Sequence, residues 1–377
     1  MKLLHIADLH LGKRMNDIDL LEDQRCVLDQ LLDMAVSEKV EAVLIAGDVY
    51  QKASPPAEAM AAFDGFVSEL VRAGIKVFVI SGNHDSDQRI SYFSSLLRPS
   101  GVYVSESFTG RLQQYTLTDQ YGEVVVSLLP FIKPLTVRRF FPDRNIVSYQ
   151  DAAEAVLAAS PIDQSKRNVL LCHQFITGAE LSDSEERTVG GLDNIDASLF
   201  DGFDYVALGH IHKPQKLKRP TLRYAGSPLK YSFSEAGHKK SAVLLELGEK
   251  GDCRIRLLPI SQPHEVREVE GLLSNVMKMD YSEDYVRVTI HDELPPPDAR
   301  ASVSTVFPNM MKFAVVNSKT KEDRDVLANE KVEEKDVKEL FTDFYRLQNN
   351  GASPTEEQLA LLEEVLKEME EKRHEAR

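Results

Sequence analysis

Five short stretches carry side chains that could do chemistry: Asp8-Leu9-His10, Gly47-Asp48, Gly82-Asn83-His84-Asp85, His173-Gln174 and Gly209-His210-Ile211-His212. Their donors are carboxylates, imidazoles and one amide oxygen, a set suited to divalent cations. Asp8 and His10 are two positions apart, as are His210 and His212, so on an extended backbone each pair points to one face. Two divalent ions about 3.5–4 Å apart can bind a phosphate, activate a water and stabilise a leaving oxygen. Such a pair needs a bridging carboxylate, and Asp48 is the natural candidate. His84 can give a proton near neutral pH, and Asp85 next to it can orient the ring.

Each stretch follows an apolar run of strand length: Lys2 to Ala7, Val40 to Ala46, Ile75 to Ile80, Val169 to Cys172 and Tyr205 to Leu208. The run from Ile75 lacks the alternation of a half-exposed strand and suits one covered on both faces, as in a parallel sheet. Gly82 then permits a tight turn at the carboxyl end, where α/β sheets place their ligands. Asp19 to Ser37 and Pro56 to Ala73 have helical spacing of apolar residues and read as crossovers between the first three strands. Five of the ten histidines thus sit just past strands. His5, His238, His264, His291 and His374 read as surface or satisfied polar groups, and Cys172 as a packed small hydrophobe.

Composition limits what these elements can belong to. The chain has 377 residues, 42% hydrophobic and 28% charged, enough for one large globular domain and one or two small ones. No apolar run approaches the roughly 20 residues needed to span a bilayer, and no signal-peptide layout precedes the first strand, so a cytoplasmic location is expected. Three widely spaced cysteines offer neither a disulfide framework nor a thiolate metal site. The net charge of -15 argues against coating nucleic acid by bulk electrostatics. It leaves a nuclease open, because a cluster of Asp and His is neutralised by its own metals. Lys321 to Arg377 carries 17 acidic and 10 basic residues, so about half of the excess lies in the last 57 positions.

The ordered set Asp-x-His, Gly-Asp, Gly-Asn-His-Asp, His, Gly-His-x-His resembles the calcineurin-like metallophosphoesterases. Within them, His5 to Gly12, Gly47 to Tyr50, Ser54-Pro55-Pro56, Gly209 to His212 and Tyr224 to Glu235 are similar to the SbcD branch, nuclease subunits of bacterial double-strand-break processing complexes. That resemblance covers essentially the whole chain. It implies one metal on Asp8, His10, Asp48 and His212, a second on Asp48, Asn83, His173 and His210, and His84 as the acid that protonates the leaving group, held by Asp85. It further implies two divalent ions, DNA as substrate (double-stranded ends, hairpins, single strands), an SbcC ATPase partner, a homodimer within a heterotetramer, and work in DNA repair, recombination and replication. The oxygen and imidazole donors suit manganese, iron or zinc, and manganese is the expected activating ion. Gln51-Lys52 departs from the acidic residues expected there and bears on substrate positioning only.

The expected fold is α/β: a calcineurin-like β-sandwich flanked by helices over 1–262, a small α/β capping domain over 263–320 and a C-terminal helical arm over 321–377. Val266 to Val269, Tyr285 to Ile290 and Met311 to Val316 read as strands of the cap, Asp298 to Val306 as its helix and Pro295-Pro296-Pro297 as a rigid turn. A sheet extension of the main domain is the alternative. In the arm, Val337, Leu340, Phe341, Phe344 and Leu347 form one stripe, Ser353-Pro354-Thr355-Glu356 a capping box, and Leu359, Leu362, Leu366 and Met369 a seam for another helix. The seam suits either the first stripe or a partner's coiled coil. Arg138-Arg139, Lys216 to Arg219 and Lys239-Lys240 suit either phosphate contact or a solvated face. Two rival functions remain: a stand-alone phosphodiesterase or phosphatase needing neither cap nor arm, and a non-catalytic scaffold.

Overall fold

The computed structural model describes residues 1–183, 185 and 194–318, and in the tail 341, 342, 345, 346, 353–355 and 358–362. The strands run β1 Lys2–Ile6, β2 Ala42–Ala46, β3 Lys76–Ile80, β4 Val102–Val104, β5 Gln113–Asp119, β6 Gly122–Leu129, β7 Arg167–His173 and β8 Tyr205–Gly209. They continue as β9 Gln215–Leu217, β10 Arg219–Tyr224, β11 Ser241–Leu247, β12 Cys253–Pro259, β13 Val266–Gly271, β14 Tyr285–Ile290 and β15 Met310–Val315. The longer helices are α1 Leu21–Ser37, α2 Ala57–Arg72, α3 Tyr149–Ala158 and α4 Ala299–Val306.

Two six-stranded sheets result, ordered β12-β11-β1-β2-β3-β4 and β9-β10-β8-β7-β6-β5. Each contains four neighbouring parallel strands, β1 to β4 in one and β6, β7, β8 and β10 in the other; β11 and β12 add antiparallel at one end of the first, and β5 and β9 at the two ends of the second. Period two explains the packing. Leu3, Leu44, Phe78 and Ile80 face inward against Val126, Leu128, Val169, Leu171 and Ala207 of the other sheet. Their chain neighbours Leu4, Ile6, Val43, Ile45, Val77 and Val79 face outward onto Val27, Leu31, Phe66 and Leu70 of α1 and α2. Leu170, Cys172, Val206 and Leu208 likewise meet Ala152 and Val156 of α3. Strands covered on both faces read as unbroken apolar runs, which is why they were visible in the sequence.

A separate three-stranded sheet, β13-β14-β15, accompanies α4. It is hydrogen-bonded into neither large sheet. Its Val266 and Tyr285 pack into the α1 cluster, and His264 pairs with Asp23 of α1 at 2.9 Å. By backbone contacts Met1–Glu270 joins Ser274–Thr289 and Pro297–Phe313 in one compact unit. Gly271–Leu273, Ile290–Pro296 and Ala314–Arg377 make the other, in which the Ser318 hydroxyl donates to Glu293 at 2.6 Å.

Most of the arm lies outside the described residues, including Val337, Leu340, Phe344, Leu347, Leu366 and Met369 of the two stripes. Around 355 the capping pair is Thr355 with Gln358: the Thr355 amide donates to Gln358 Oε1 at 2.9 Å and the Gln358 amide to Thr355 Oγ1 at 3.3 Å. The cap therefore starts two residues after Ser353.

Candidate metal centre

The ends of β1, β2, β3, β7 and β8 converge at one edge of the sandwich. Past the sheet, the loops after β1 and β2 continue side by side: the amides of Asp8, His10 and Leu11 donate to the carbonyls of Gly47, Asp48 and Val49 at 3.1, 2.9 and 2.9 Å. To turn there, Asp8, His10, Asp48 and His210 take positive φ of 53°, 45°, 49° and 102°. Such backbone costs about 1–3 kcal/mol per non-glycine residue and persists where the surroundings enforce it, commonly at functional sites. Two glycines make the room. A Cβ on Gly47 would lie 2.2 Å from His173 Nδ1, and one on Gly82 2.1 Å from Asp48 Oδ1.

All seven expected ligand residues meet. Asp8, His10, Asp48, His173 and His212 are buried. His10 Nε2 faces His212 Nε2 at 3.0 Å and Asp48 Oδ2 at 3.6 Å, and His173 Nε2 lies 3.3 Å from the same oxygen. Asn83 Oδ1 stands 3.1 Å from His173 Nε2 and 2.9 Å from His210 Nδ1. Asp8 Oδ1 accepts the His210 amide at 2.9 Å, and Asp48 Oδ1 the His84 amide at 2.9 Å. Three carboxylate and imidazole sets are close enough to hold a cation: Asp8, His10 and His212; His10, Asp48 and His84; Asp8, Asp48 and His173.

The donor chemistry fits metal. Asp8 Oδ2 is buried without a hydrogen-bond partner, an arrangement that costs free energy unless a cation takes it. The Ala46 carbonyl, an acceptor only, takes the His173 Nδ1 proton at 2.8 Å, which turns Nε2 toward Asp48. Burial holds His10 well below the usual imidazole range and His210 down to about 3, so both are neutral donors. Burial pushes Asp8 up to about 6 against the pull of His173 and His212. Burial would also raise Asp48, yet His173 and His10 hold it far below the usual range. Burial pulls His173 down, but Asp48 and Asp8 outweigh it and lift the ring to about 9.

His84 joins the cluster with its ring centroid 4.9 Å from that of His10. Its Nδ1 donates to the Gln51 carbonyl at 3.1 Å, leaving Nε2 free. Asp85 does not hold it, contrary to expectation. The Asp85 carboxylate accepts the amides of Val49, Tyr50 and Gly82 at 3.1, 2.9 and 2.9 Å, clamping the β2 and β3 loops together. Adjacent side chains in a tight turn diverge, so the carboxylate reaches backbone and the imidazole reaches Gln51.

Other expectations also change. Lys240 is buried, with its ammonium hydrogen-bonded inside the protein, and so is no phosphate contact. Arg138 donates to the Ile146 carbonyl at 2.6 Å, and Arg219 to the carbonyls of Phe200 and Phe203 at 2.7 and 2.8 Å. His5 is buried on the inner face, 2.9 Å from the Tyr205 hydroxyl, with Nε2 unpartnered. Sequence reasoning missed Gln24, whose amide donates to the Leu9 and His10 carbonyls at 3.3 and 2.8 Å, and Phe131, stacked near His210 at 6.2 Å. Gln24 looked like any helix residue. Phe131 follows β6, a strand the sequence reading had not placed.

The model of the family described as calcineurin-like phosphoesterase matches residues 1–214, more than half of the chain. A second, described as type 5 capsule protein repressor C-terminal domain and bearing the SbcD name, matches residues 262–349. The SbcD subunit of the nuclease SbcCD from Staphylococcus epidermidis is 30% identical over 350 residues, spanning 87% of this chain and 92% of the relative. The chain belongs to the SbcD branch of the calcineurin-like phosphoesterases. Membership in this family makes it a metal-dependent phosphoester hydrolase. Among solved structures, a dimetal phosphatase from Danio rerio is 11% identical, covering 70% of this chain and 97% of that one at a TM-score of 0.42. GAP50 of Plasmodium is also 11% identical, covering 85% and 98% at 0.39. No helix among the described residues is long and apolar enough to cross a membrane.

Proposed function

We propose that this protein is a two-metal DNA nuclease that hydrolyses phosphodiesters at DNA ends and hairpins as the SbcD subunit of a cytoplasmic complex with an SbcC ATPase. The observation that carries the chemistry is the meeting of Asp8, His10, Asp48, Asn83, His173, His210 and His212 from five strand ends, with the buried Asp8 Oδ2 left without a hydrogen-bond partner. In this reading Asp8, His10, Asp48 and His212 would hold one ion, and Asp48, Asn83, His173 and His210 the other. Bound there, two divalent ions, manganese by preference, supply Lewis acidity to the phosphate and a nucleophile at neutral pH. His84, steered by the Gln51 carbonyl, gives a proton to the leaving oxygen from Nε2. Asp85 acts through the backbone and not on the proton.

Residues 1–262 would carry the nuclease, 263–320 the cap and 321–377 the arm that docks on the SbcC coiled coil. An apolar groove between α2 and the segment 87–104, floored by Phe63 and Val67 and rimmed by exposed Met60, Tyr92, Phe93 and Leu97, supports self-association as a homodimer. The relative's printed name supports the SbcC partnership. Degradation of linear duplex DNA, measured with and without SbcC, ATP and manganese, tests the whole reading. Duplex degradation should need all three. Equal hydrolysis of a phosphomonoester with no DNA cleavage under any condition would favour the stand-alone phosphatase. If metal-stripped protein regained activity with magnesium or calcium only, the manganese assignment would be wrong.

A further inference from the structure

Behind His212 lies a buried ion pair that the chemistry above does not use. The side chains of Lys240 and Glu235 are both fully buried. The Lys240 ammonium donates to Glu235 Oε2 at 2.5 Å, to the Ser227 hydroxyl at 2.7 Å and to the His212 carbonyl at 2.9 Å. The other carboxylate oxygen, Oε1, stands 3.4 Å from His212 Nδ1 and accepts the Ser232 hydroxyl at 3.3 Å. Glu185 Oε1 accepts the His212 amide at 2.6 Å. Ring, amide and carbonyl of one residue are thus each held by a charged side chain from elsewhere in the chain.

Stability does not account for such a pair, since exchanging a buried ion pair for apolar residues of similar volume is often neutral or stabilising. What Glu235 does supply is a fixed acceptor at one ring nitrogen. An ionised carboxylate only accepts, so the proton of neutral His212 belongs on Nδ1 and the lone pair on Nε2. Nε2 is the atom that meets His10 Nε2 at 3.0 Å in the cluster with Asp8. A carboxylate behind a ligating imidazole fixes its tautomer and raises its basicity. Lys240 occupies Oε2 and ties it to the His212 main chain, so the carboxylate stays behind the ring.

We propose that Glu235, anchored by Lys240, is a positioning residue that holds His212 as the Nδ1–H tautomer and presents Nε2 to one metal of the centre. This rests on the two-metal reading above. The test compares wild type with Glu235→Leu/Lys240→Met, which removes both charges together. Glu235→Gln, whose carbonyl oxygen can serve Lys240 or His212 but not both, carries the test if the double variant does not fold. Ring-nitrogen NMR of metal-free, histidine-labelled protein, assigned with His212→Asn, reads the tautomer. Manganese titration reads stoichiometry and affinity. Wild type should show His212 protonated at Nδ1 and two bound ions. The variants should lose the tautomer preference and weaken one ion by about 10–100-fold with the other little changed. Variants that keep the wild-type tautomer and both affinities, or wild type protonated at Nε2, would overturn the proposal. Wild type that bound no manganese would overturn the metal reading beneath it, a failure the wild-type titration identifies by itself.

Discussion

Gly82→Ala tests how Asp48 is held. A Cβ at this position would stand 2.1 Å from Asp48 Oδ1 and 2.4 Å from the Asp48 amide nitrogen, whereas ordinary contact begins at 3.4 Å. The carboxylate oxygen must therefore retreat by about 1.3 Å and the amide by about 1.0 Å, the differences between those distances. The retreat breaks the bond that Oδ1 accepts from His84 and shifts the turn carrying Asn83. Overpacking of this kind costs about 1–3 kcal/mol, and a displacement of about 1 Å at reacting groups costs about 10²-fold in rate. Gly82→Ala should melt a few degrees lower, bind manganese more weakly and hydrolyse a chromogenic phosphodiester about 10²-fold more slowly. Gly65→Ala is the control: it lies on the exposed face of α2 with nothing within 4 Å of the new Cβ. It should gain about 0.5–1 kcal/mol of stability and leave metal and rate unchanged. A Gly82→Ala protein with wild-type metal content and rate would refute the crowding argument.

The remaining predictions separate the roles of individual groups. His84→Ala should retain both ions and DNA affinity while the rate falls by about 10²–10⁴, whereas Asp48→Ala should lose metal too; elemental analysis beside single-turnover cleavage distinguishes them. Burial, with Arg223 nearby, keeps His5 neutral in the fold down to about 3, against the ordinary imidazole value of 6.5. Between these values the unfolded chain takes up a proton that the folded one refuses. The penalty is absent above pH 6.5 and grows as pH falls toward 3, at about 1.4 kcal/mol per unit. Urea unfolding of metal-free His5→Gln should therefore show a flatter pH dependence than wild type across that window, and identical slopes would sink the account. Removing residues 352–377 should leave melting temperature and manganese-dependent single-strand cleavage nearly unchanged while SbcC association weakens; equal SbcC recovery by both forms in a pull-down would exclude this arm as the docking element.

The strands that build the site were legible because parallel strands covered on both faces appear as short apolar runs, and Lys2–Ile6, Ala42–Ala46, Lys76–Ile80 and Arg167–His173 lie close to where such runs stand. The residues after them were legible because carboxylate, imidazole and amide donors stand at strand ends in a fixed order. Strands β5 and β12 escaped notice because half-exposed stretches such as Cys253–Pro259 mix charged and apolar residues without a clean period, whereas β6 and β11 are buried apolar runs with no metal-binding side chain directly after them to draw attention.

Sequence by itself determined which side chains are available to bind metal and that they fall at the carboxyl ends of buried strands, because burial and side-chain period are local properties of the chain. Only the tertiary structure decided which polar groups face one another. His10 meets His212 across 202 positions, and Asn83 meets His210 across 127. The same long-range packing turned Asp85 onto backbone amides and buried Lys240 behind the site. A hydrogen bond forms where donor and acceptor arrive within about 3 Å, and that approach is set by the packing of whole sheets, which no local pattern of residues encodes.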